Sequence, residues 1–468
     1  MANSIPSNLS ALAAARPEIF RFWKDLNPTE CEQFSSLLQS IDFSFLNDVA
    51  ALGDSATAAP EVPRADIATA PVTVVLQPQT EQEQAVWQQA ASAGENLLNQ
   101  GGVAVITVAG GQGSRLGFDH PKGMFPIGPV SGCTLFQWFA EQIAARRKRH
   151  GAAIPWLIMT SAATHEETVA FFESQSFFGL ARDTVHFFQQ GSLPAVDASS
   201  GHVLLASKSS LALSPDGHGG LVKALKESGL LDQMSAAGVK HYFYHQVDNP
   251  TAIVCDPALL GFHVEKNSQL TTNVVRKLDP TELMGALAEV DGKMQIIEYS
   301  ELTEEQARRT DQQGDYIFWA GNTAIHVFSA EFLHQLTDDG CRLELHVAHK
   351  KVPHLDEAGQ RVEPAEPNAH KFERFIFDAL PLAECTLVVE GDRAREFNPV
   401  KNATGSDSPE TAKAAIQRIG REWFSQCGQD ASDAVDVEIR PSVALDAKEL
   451  AARLESGEVD VSAFVFRK

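Results

Sequence analysis

Closely spaced cysteines, long apolar runs and an excess of basic charge are all missing from this sequence, and each absence removes a class of protein. The six cysteines are Cys31, Cys133, Cys255, Cys341, Cys385 and Cys427, and the closest two, Cys385 and Cys427, stand 42 positions apart. That spacing leaves no CxxC pair, zinc knuckle or disulfide framework. The thiols are therefore expected to be reduced and mostly buried, as in a cytoplasmic protein. No stretch approaches about 18 uninterrupted apolar residues, the length a membrane-spanning helix needs. Residues 1–17 lack a basic start followed by an apolar run, so no secretory signal is expected. Lys and Arg number 38 against 61 Asp and Glu, a formal net charge of −23. Such acidity argues against a nucleic acid or an anionic membrane as partner, which would need a basic face. It leaves room for a small anion held by a few local cations. There is no internal repeat.

What the chain does contain is an ordinary globular composition, with 44% of its 468 residues apolar and 21% charged. A chain of this length buries a full core without disulfides or structural metal. In residues 17–50 the apolar positions (Phe20, Trp23, Leu26, then Phe34, Leu37, Leu38, Ile41) recur at helical spacing, predicting two short helices broken at Asn27-Pro28. Residues 53–72, rich in Ala, Pro, Thr and Val, predict an extended connector. Thr80-Glu81-Gln82-Glu83 reads as a capping box opening a helix to about Asn99, ended by Gly101-Gly102. Strand and helix patterns then alternate. Strands are expected at 103–109, 156–160, 185–188, 242–247, 271–275 and 323–328. Helices are expected at 134–149, after the cap Thr164-His165-Glu166-Glu167, and near 219–228, 256–266, 302–310 and 330–337. This alternation indicates a mostly parallel sheet covered on both faces. After about residue 396 the pattern changes to one helix (409–424) and a few short strands, expected to pack on the rim of the functional cleft. The domains read as 1–100, a helical region and connector; 101–396, a catalytic domain; and 397–468, a small C-terminal domain.

The densest chemical signal follows the first core strand: Val108-Ala109-Gly110-Gly111-Gln112-Gly113-Ser114-Arg115-Leu116-Gly117, then Pro121-Lys122-Gly123. Closely spaced glycines let backbone N–H groups approach phosphate oxygens because no Cβ intervenes. Arg115 and Lys122 add positive charge. Two familiar phosphate loops do not fit. A dinucleotide fingerprint needs glycine at Leu116, and glycine arrives one place late at Gly117. A P-loop lysine follows glycine and precedes Ser or Thr, whereas Lys122 lies between Pro121 and Gly123. His346, His349 and His354 lack zinc spacing, and Pro353 interrupts them.

The glycine-rich string resembles the L-x-G-G-x-G-T-x-L-G … P-K signature of sugar-nucleotide pyrophosphorylases. Gln112 and Arg115-Leu116 resemble the eukaryotic-type UDP-N-acetylhexosamine branch of the UDP-glucose/UDP-sugar pyrophosphorylase superfamily. The resemblance continues in order through most of residues 100–410: Phe187-Phe188-Gln189-Gln190-Gly191, Ser214-Pro215-Asp216-Gly217-His218-Gly219-Gly220, Val247-Asp248-Asn249, Glu298-Tyr299-Ser300-Glu301, Gly321-Asn322, the run from Lys371 to Asp378, and Phe397-Asn398-Pro399-Val400-Lys401-Asn402-Ala403. It implies an α/β fold, a Rossmann-like (GT-A-like) nucleotidyltransferase domain with a mostly parallel mixed sheet, flanked by a helical N-terminal region and a small α+β C-terminal region. It implies UTP binding by Val108, Ala109, Gly110, Gly111, Lys122, Gln190, Gly217, Asp248 and Lys371. Sugar binding falls to His218, Glu298, Tyr299, Asn322, Phe375, Phe377 and Lys401. Arg115, Lys122 and Lys401 become the catalytic cations, and Asp248 the ligand of Mg²⁺ (or Mn²⁺).

The residue chemistry fits these roles. The Gln190 amide can pair with the imide edge of uracil. Gly217 permits close backbone approach to a base, with a helix start beyond it that favours anions. Asp248 closes a strand, where open α/β sheets bind ligands, and offers a hard oxygen to a magnesium ion. The chain departs from the pattern at His218: the N-acetylhexosamine branch typically has asparagine there, and the UDP-glucose relatives histidine.

The expected reaction is UTP + sugar-1-phosphate → UDP-sugar + pyrophosphate. Its nucleophile is an already ionised phosphate oxygen, so no general base is required. Catalysis reduces to positioning two anions and stabilising the leaving pyrophosphate. The expected sugar is N-acetylglucosamine-1-phosphate. Its galacto epimer and glucose-1-phosphate stay as alternatives, since an apolar pocket for an acetyl methyl separates substrates by only about 1–3 kcal/mol. A catalytically silent nucleotide-sugar-binding module on the same fold is the reading from another class. The presence of Arg115, Lys122, Asp248 and Lys401 together counts against it. Oligomeric state is not legible in the sequence.

Overall fold

The computed structural model describes residues 4–46, 63–338, 340–429, 435–459 and 465–467. The end of the second expected N-terminal helix and the first half of the expected connector, residues 47–62, lie outside them. The chain divides into two compact units. The larger comprises Arg64–Gln189, Ala224–Cys341 and Ala379–Lys468, and the smaller Met1–Pro63, Gln190–Lys223 and Arg342–Asp378.

A ten-stranded sheet forms the larger unit. In chain order its strands are β1 (Val74–Val75), β2 (Val103–Val108), β3 (Trp156–Thr160), β4 (Val185–Gln189), β5 (His241–Gln246), β6 (Leu270–Arg276), β7 (Ala286–Val290), β8 (Lys293–Ile297), β9 (Ala320–Ser329) and β10 (Thr386–Glu390). Their spatial order is β1-β10-β6-β9-β5-β2-β3-β4, with the β7–β8 hairpin branching from β9. Every neighbouring pair on that path is parallel except the two made by β9, which runs antiparallel to both β5 and β6. The sheet is thus mostly parallel, as the alternating pattern predicted, and mixed, as the resemblance implied.

The central strands are apolar on both faces because both faces are covered: β2 and β3 are buried along nearly their whole length. Polar atoms on them are paired internally. The Trp156 indole N–H donates to the Thr107 hydroxyl at 2.7 Å, and that hydroxyl lies 2.7 Å from His245 Nε2. Burial lowers the His245 pKa to about 4, so the ring is neutral and can accept.

Local signals placed the helices well. Thr80 and Glu83 form the reciprocal capping box that opens Glu81–Asn99. Thr134 caps Leu135–His150, which stops at a left-handed Gly151 with φ +63°. Thr164 behaves otherwise. It precedes His165–Ser174, but its hydroxyl accepts from the Ser161 N–H at 3.1 Å and makes no side-chain cap. The helix expected near 302–310 is one turn, Glu304–Ala307.

Glu81–Asn99 crosses Pro257–Glu265 at two glycines. A Cβ on Gly94 would lie 1.9 Å from the Pro257 carbonyl oxygen, and one on Gly261 1.7 Å from the Ala90 carbonyl oxygen. Alanine normally stabilises a helix interior by about 1 kcal/mol over glycine. Here the obstacle is backbone, which no rotamer change relieves, and overpacking costs about 1–3 kcal/mol. Gly261→Ala should therefore lower Tm in a thermal melt; an unchanged or raised Tm would contradict the close crossing.

The C-terminal segment contains a second helix, Ala447–Glu455, that the sequence reading missed. Asp446 caps it, accepting from the Glu449 N–H at 2.8 Å. The segment packs on Leu135–His150 and the turn before it. Arg149 pairs with Asp446 at 2.8 Å, Arg440 pairs with Glu141, and Glu438 accepts from the N–H groups of Val130 and Ser131 at 2.7 and 2.9 Å.

In the smaller unit an antiparallel sheet runs His346–Lys350, Ala369–Glu373, Val196–Asp197. Leu9, Ile19, Phe20, Trp23, Phe34 and Leu38 share a buried core with Leu193, Val203, Leu211 and Phe372. The break at Asn27 is real, since its side chain caps Pro28–Ser40. The first expected helix is instead a pair of 3₁₀ turns, Pro17–Phe20 and Trp23–Asp25. Spacing of three puts apolar side chains on one side of either helix type, so the pattern could not separate them.

Two of the six cysteines, Cys133 and Cys255, are buried, and the other four are partly exposed, fewer buried thiols than expected. No described helix is long and apolar enough to cross a membrane.

Candidate active site

β2 ends at Val108 and delivers the glycine-rich turn at the carboxyl edge of the sheet, where open α/β sheets bind ligands. The turn is stapled on both sides. Ala109 N–H donates to the Met159 carbonyl at 2.8 Å, the Ser161 hydroxyl donates to the Gly110 carbonyl at 2.7 Å, and Lys122 N–H donates to the Gly111 carbonyl at 3.1 Å. Its glycines have different uses. A Cβ on Gly113 would meet Phe118 at 2.8 Å, and one on Gly123 would meet the Phe136 ring at 2.2 Å, so both serve packing. At Gly111, as at Gly117, a Cβ would find no atom within 4 Å, and the open backbone at Gly111 suits an anion. Arg115 is exposed on the 3₁₀ turn Ser114–Leu116.

Lys122, Asp248 and Val400 converge, whereas no contact joins the Lys401 side chain to them. Lys122 Nζ lies 3.7 Å from Asp248 Oδ2 and 3.4 Å from the Val400 carbonyl oxygen. The Val400 N–H donates to the Asp248 backbone carbonyl at 2.8 Å. The Lys122 and Asp248 side chains are only 17% and 15% exposed, so water screens their attraction weakly. Lys401 donates its N–H to the Asp407 carbonyl at 2.7 Å, and its Nζ rests 5.3 Å above the centre of the Phe397 ring.

Because β9 runs against its neighbours, its first residues lie at the same carboxyl edge, and Asn322 is among them. The Asn322 side-chain oxygen accepts from the Ala324 N–H at 3.0 Å, steadying a β-bulge in which Ala324 has φ +56°. The amide NH₂ is the part left to meet a ligand. Glu298 N–H donates to Glu301 at 3.0 Å, and Glu301 pairs with Arg64 at 2.6 Å. Tyr299, next in the chain, is exposed.

Gln190, Gly217, His218, Lys371, Phe375 and Phe377 belong to the smaller unit. The Gln190 amide donates to the Gly217 carbonyl at 3.4 Å. Gly217 has φ +84°, and a Cβ there would lie 2.4 Å from the Arg374 carbonyl oxygen. The space a side chain would occupy at this glycine is filled by the Arg374 backbone. The helix start beyond it is similarly engaged: Gly219 N–H donates to the Arg374 carbonyl at 2.8 Å, and Leu221–Glu227 is only seven residues long. Burial raises the neighbouring Asp216 carboxyl to about 6 in spite of the Arg374 charge.

His218 Nδ1 accepts from the Ile376 N–H at 3.1 Å, which leaves the ring proton on Nε2. Burial lowers its pKa to about 4, so it is neutral near pH 7. The ring lies 5.4 Å from both Phe375 and Phe377, which stack on each other at 5.1 Å. His346 stands 4.5 Å from Phe375 and bonds Asp378 at 2.7 Å. Lys371 is partly buried in the middle of Ala369–Glu373. His349 lies beside His370, and His354 Nδ1 lies 3.1 Å from the Val352 carbonyl, so the three clustered histidines of the sequence do not converge. Among the described residues no three His, Cys, Asp or Glu side chains form a metal cage.

Sequence reasoning missed Ser161, which anchors the turn, the Val400 carbonyl beside Lys122, and His346 against Phe375. Only Ser161 left a signal, as the polar residue directly after an apolar strand.

The chain has the fold of a sugar-nucleotide pyrophosphorylase. It aligns with a TM-score of 0.83 to the Trypanosoma brucei uridine diphosphate N-acetylglucosamine pyrophosphorylase solved in complex with inhibitor, at 24% identity over 96% of this chain and 94% of that one. It is 39% identical over 356 residues to the UDP-N-acetylglucosamine pyrophosphorylase of Saccharomyces cerevisiae, 74% of each chain. It is 35% identical over 436 residues to the human UDP-N-acetylhexosamine pyrophosphorylase-like protein 1, covering 90% of this chain and 85% of that one. With residues 57–407 matching the family described as UTP–glucose-1-phosphate uridylyltransferase, the chain belongs to that family.

Proposed function

We propose that the protein is a cytoplasmic uridylyltransferase that joins UTP and N-acetylglucosamine-1-phosphate, releasing pyrophosphate, with Asp248 holding Mg²⁺ (or Mn²⁺). The observation that carries this reading is the meeting of Lys122, Asp248 and Val400 beside an open glycine turn. It places a local cation and a hard carboxylate together in a chain of net charge −23. A magnesium ion keeps several waters and takes one or two carboxylates plus substrate phosphates, so the single Asp248 fits it without a cage. When bound, the ion would neutralise phosphate charge and polarise the reacting phosphoryl group.

The chain's own residues have three tasks. The turn at Gly110 and Gly111 cradles the triphosphate through backbone N–H groups. Lys122 and Arg115 offset charge along that triphosphate, and Lys401 presents the sugar phosphate. One sugar-phosphate oxygen then forms a bond to the α-phosphorus as the bond from that phosphorus to the β-phosphate oxygen breaks, and pyrophosphate leaves with the electron pair. No proton needs to move, because the attacking phosphate oxygen is already ionised.

For the sugar, the stacked Phe375 and Phe377 form a flat apolar surface against which an acetamido methyl can lie. A second reading, glucose-1-phosphate, draws on His218: with Nδ1 spent on Ile376, its Nε2–H remains as one donor suited to a hydroxyl. Pyrophosphate release with UTP, Mg²⁺ and each sugar phosphate decides between them. We expect kcat/KM for the N-acetylated sugar to exceed that for glucose-1-phosphate by about 10–200-fold. A preference for glucose-1-phosphate overturns the choice of sugar. No release with any sugar phosphate would mean a binding module.

A further inference from the structure

We propose that Glu396 is a positioning residue that fixes the sugar-side Asn322 and the metal-side Asp248 relative to each other; the proposal rests on the reading above. Glu396 falls outside every motif singled out in the sequence for a role. It is nonetheless a buried carboxyl at the junction of three segments that carry proposed ligands.

One carboxylate oxygen accepts from the Asp392 N–H at 2.8 Å, and the other accepts from the Asn273 side-chain amide at 3.1 Å. Asn273 lies on β6 at the point where pairing with β9 slips: Asn273 faces Ile325, and Val274 faces Asn322. The Asn273 side-chain oxygen accepts from the Thr323 hydroxyl at 2.9 Å, and Thr323 immediately follows Asn322. Glu396 thus reaches the bulge that aims Asn322 through a single side chain.

Its backbone makes the second connection. The Glu396 carbonyl accepts from the Asn249 amide at 2.7 Å, and Asn249 Oδ1 accepts from the Asn398 N–H at 3.1 Å. Asn249 adjoins Asp248, and Asn398 opens the segment leading to Val400 and Lys401. Gly391 leaves room for the arrangement: a Cβ there would lie 2.7 Å from both Asn273 Nδ2 and Glu396 Oε2. Burial and the nearby Asp256 raise the Glu396 pKa, so the position opposes the charged form it would carry on the surface. Filling space does not call for an acid here. Two acceptors facing one backbone and one side-chain donor do.

That polarity makes the test specific. Glu396→Gln keeps the shape but leaves one acceptor for two donors, so its NH₂ is set against either the Asn273 NH₂ or the Asp392 N–H. Adding Asn273→Asp restores a donor–acceptor pair with its direction reversed, because the introduced carboxylate still accepts from the Thr323 hydroxyl. Initial rates of pyrophosphate release would be measured with each substrate varied in turn, beside a thermal melt. For E396Q we expect KM for the sugar phosphate to rise and kcat to fall, each by about 10-fold, with KM for UTP within about 2-fold of wild type. N273D alone should also be impaired, and E396Q/N273D should recover to within about 3-fold of wild type. If E396Q does not fold, a double variant that folds and works still supports the proposal. It is overturned by wild-type kinetics in E396Q, by a double variant that fails to recover in fold or rate, or by an equal rise in both KM values. A wild-type chain that releases no pyrophosphate defeats the functional reading and this proposal with it. An active wild type indifferent to E396Q defeats this proposal alone.

Discussion

Lys122→Ala should lower kcat by about 10²–10³, the usual loss when one electrostatic partner of a transition state is removed. The backbone of Lys122, through its N–H to the Gly111 carbonyl, holds the turn, and the substitution leaves that bond in place. The expected defect is therefore in turnover, with the fold intact. The side chain is only 17% exposed and sits against Asp248 and the Val400 carbonyl, so its charge acts in a poorly screened setting. Lys122→Arg should retain part of the rate, because it restores charge without the compact ammonium geometry. Steady-state pyrophosphate release at saturating UTP, read beside a thermal melt, checks both expectations. Near-normal turnover in K122A would remove Lys122 from the machinery.

What the sequence disclosed follows from how locally each feature is encoded. Val103–Val108 and Trp156–Thr160 are unbroken apolar runs because both faces of the sheet are covered, and their positions were read almost to the residue. Thr80 with Glu83 is likewise a four-residue device that works without tertiary help. Features that depend on a distant partner were not legible. The letters SPDGHGG show that Gly217 can adopt a positive φ, but not that Arg374 already fills the space its missing side chain leaves. The bulge beside Asn322 requires β6 and β9 to be paired before the slip between Asn273 and Val274 has any meaning. Ala447–Glu455 was missed because nine residues after an irregular stretch give too few turns for a periodic pattern to stand out. At the candidate site, the letters offered Lys122 and Asp248 as charged residues, and the fold brings these two together. The part played by Val400, a backbone carbonyl next to Lys122, has no signature in side-chain letters.

Asp248→Asn should cost more than the loss of Lys122, about 10³ or more in kcat, because one carboxylate has two roles. It is the proposed magnesium ligand, and it is the counter-charge that holds the Lys122 ammonium at 3.7 Å. Asparagine preserves the shape and the backbone carbonyl that accepts from Val400, so the effect isolates charge from structure. Two measurements separate the roles. Weakened metal binding should shift the Mg²⁺ dependence of turnover to a higher concentration in D248N, by roughly 10-fold or more. In the proposed mechanism Lys122 and Asp248 also act on the same phosphates, so their losses should not multiply. Once Asp248 has been neutralised, the bound triphosphate lacks the metal charge that fixes its geometry, and Lys122 has little correct alignment left to improve. K122A/D248N should therefore turn over only slightly more slowly than D248N. Fully multiplicative losses, together with an unmoved Mg²⁺ requirement, would show the two residues working at separate places, and the convergence at the carboxyl edge would then need a different explanation.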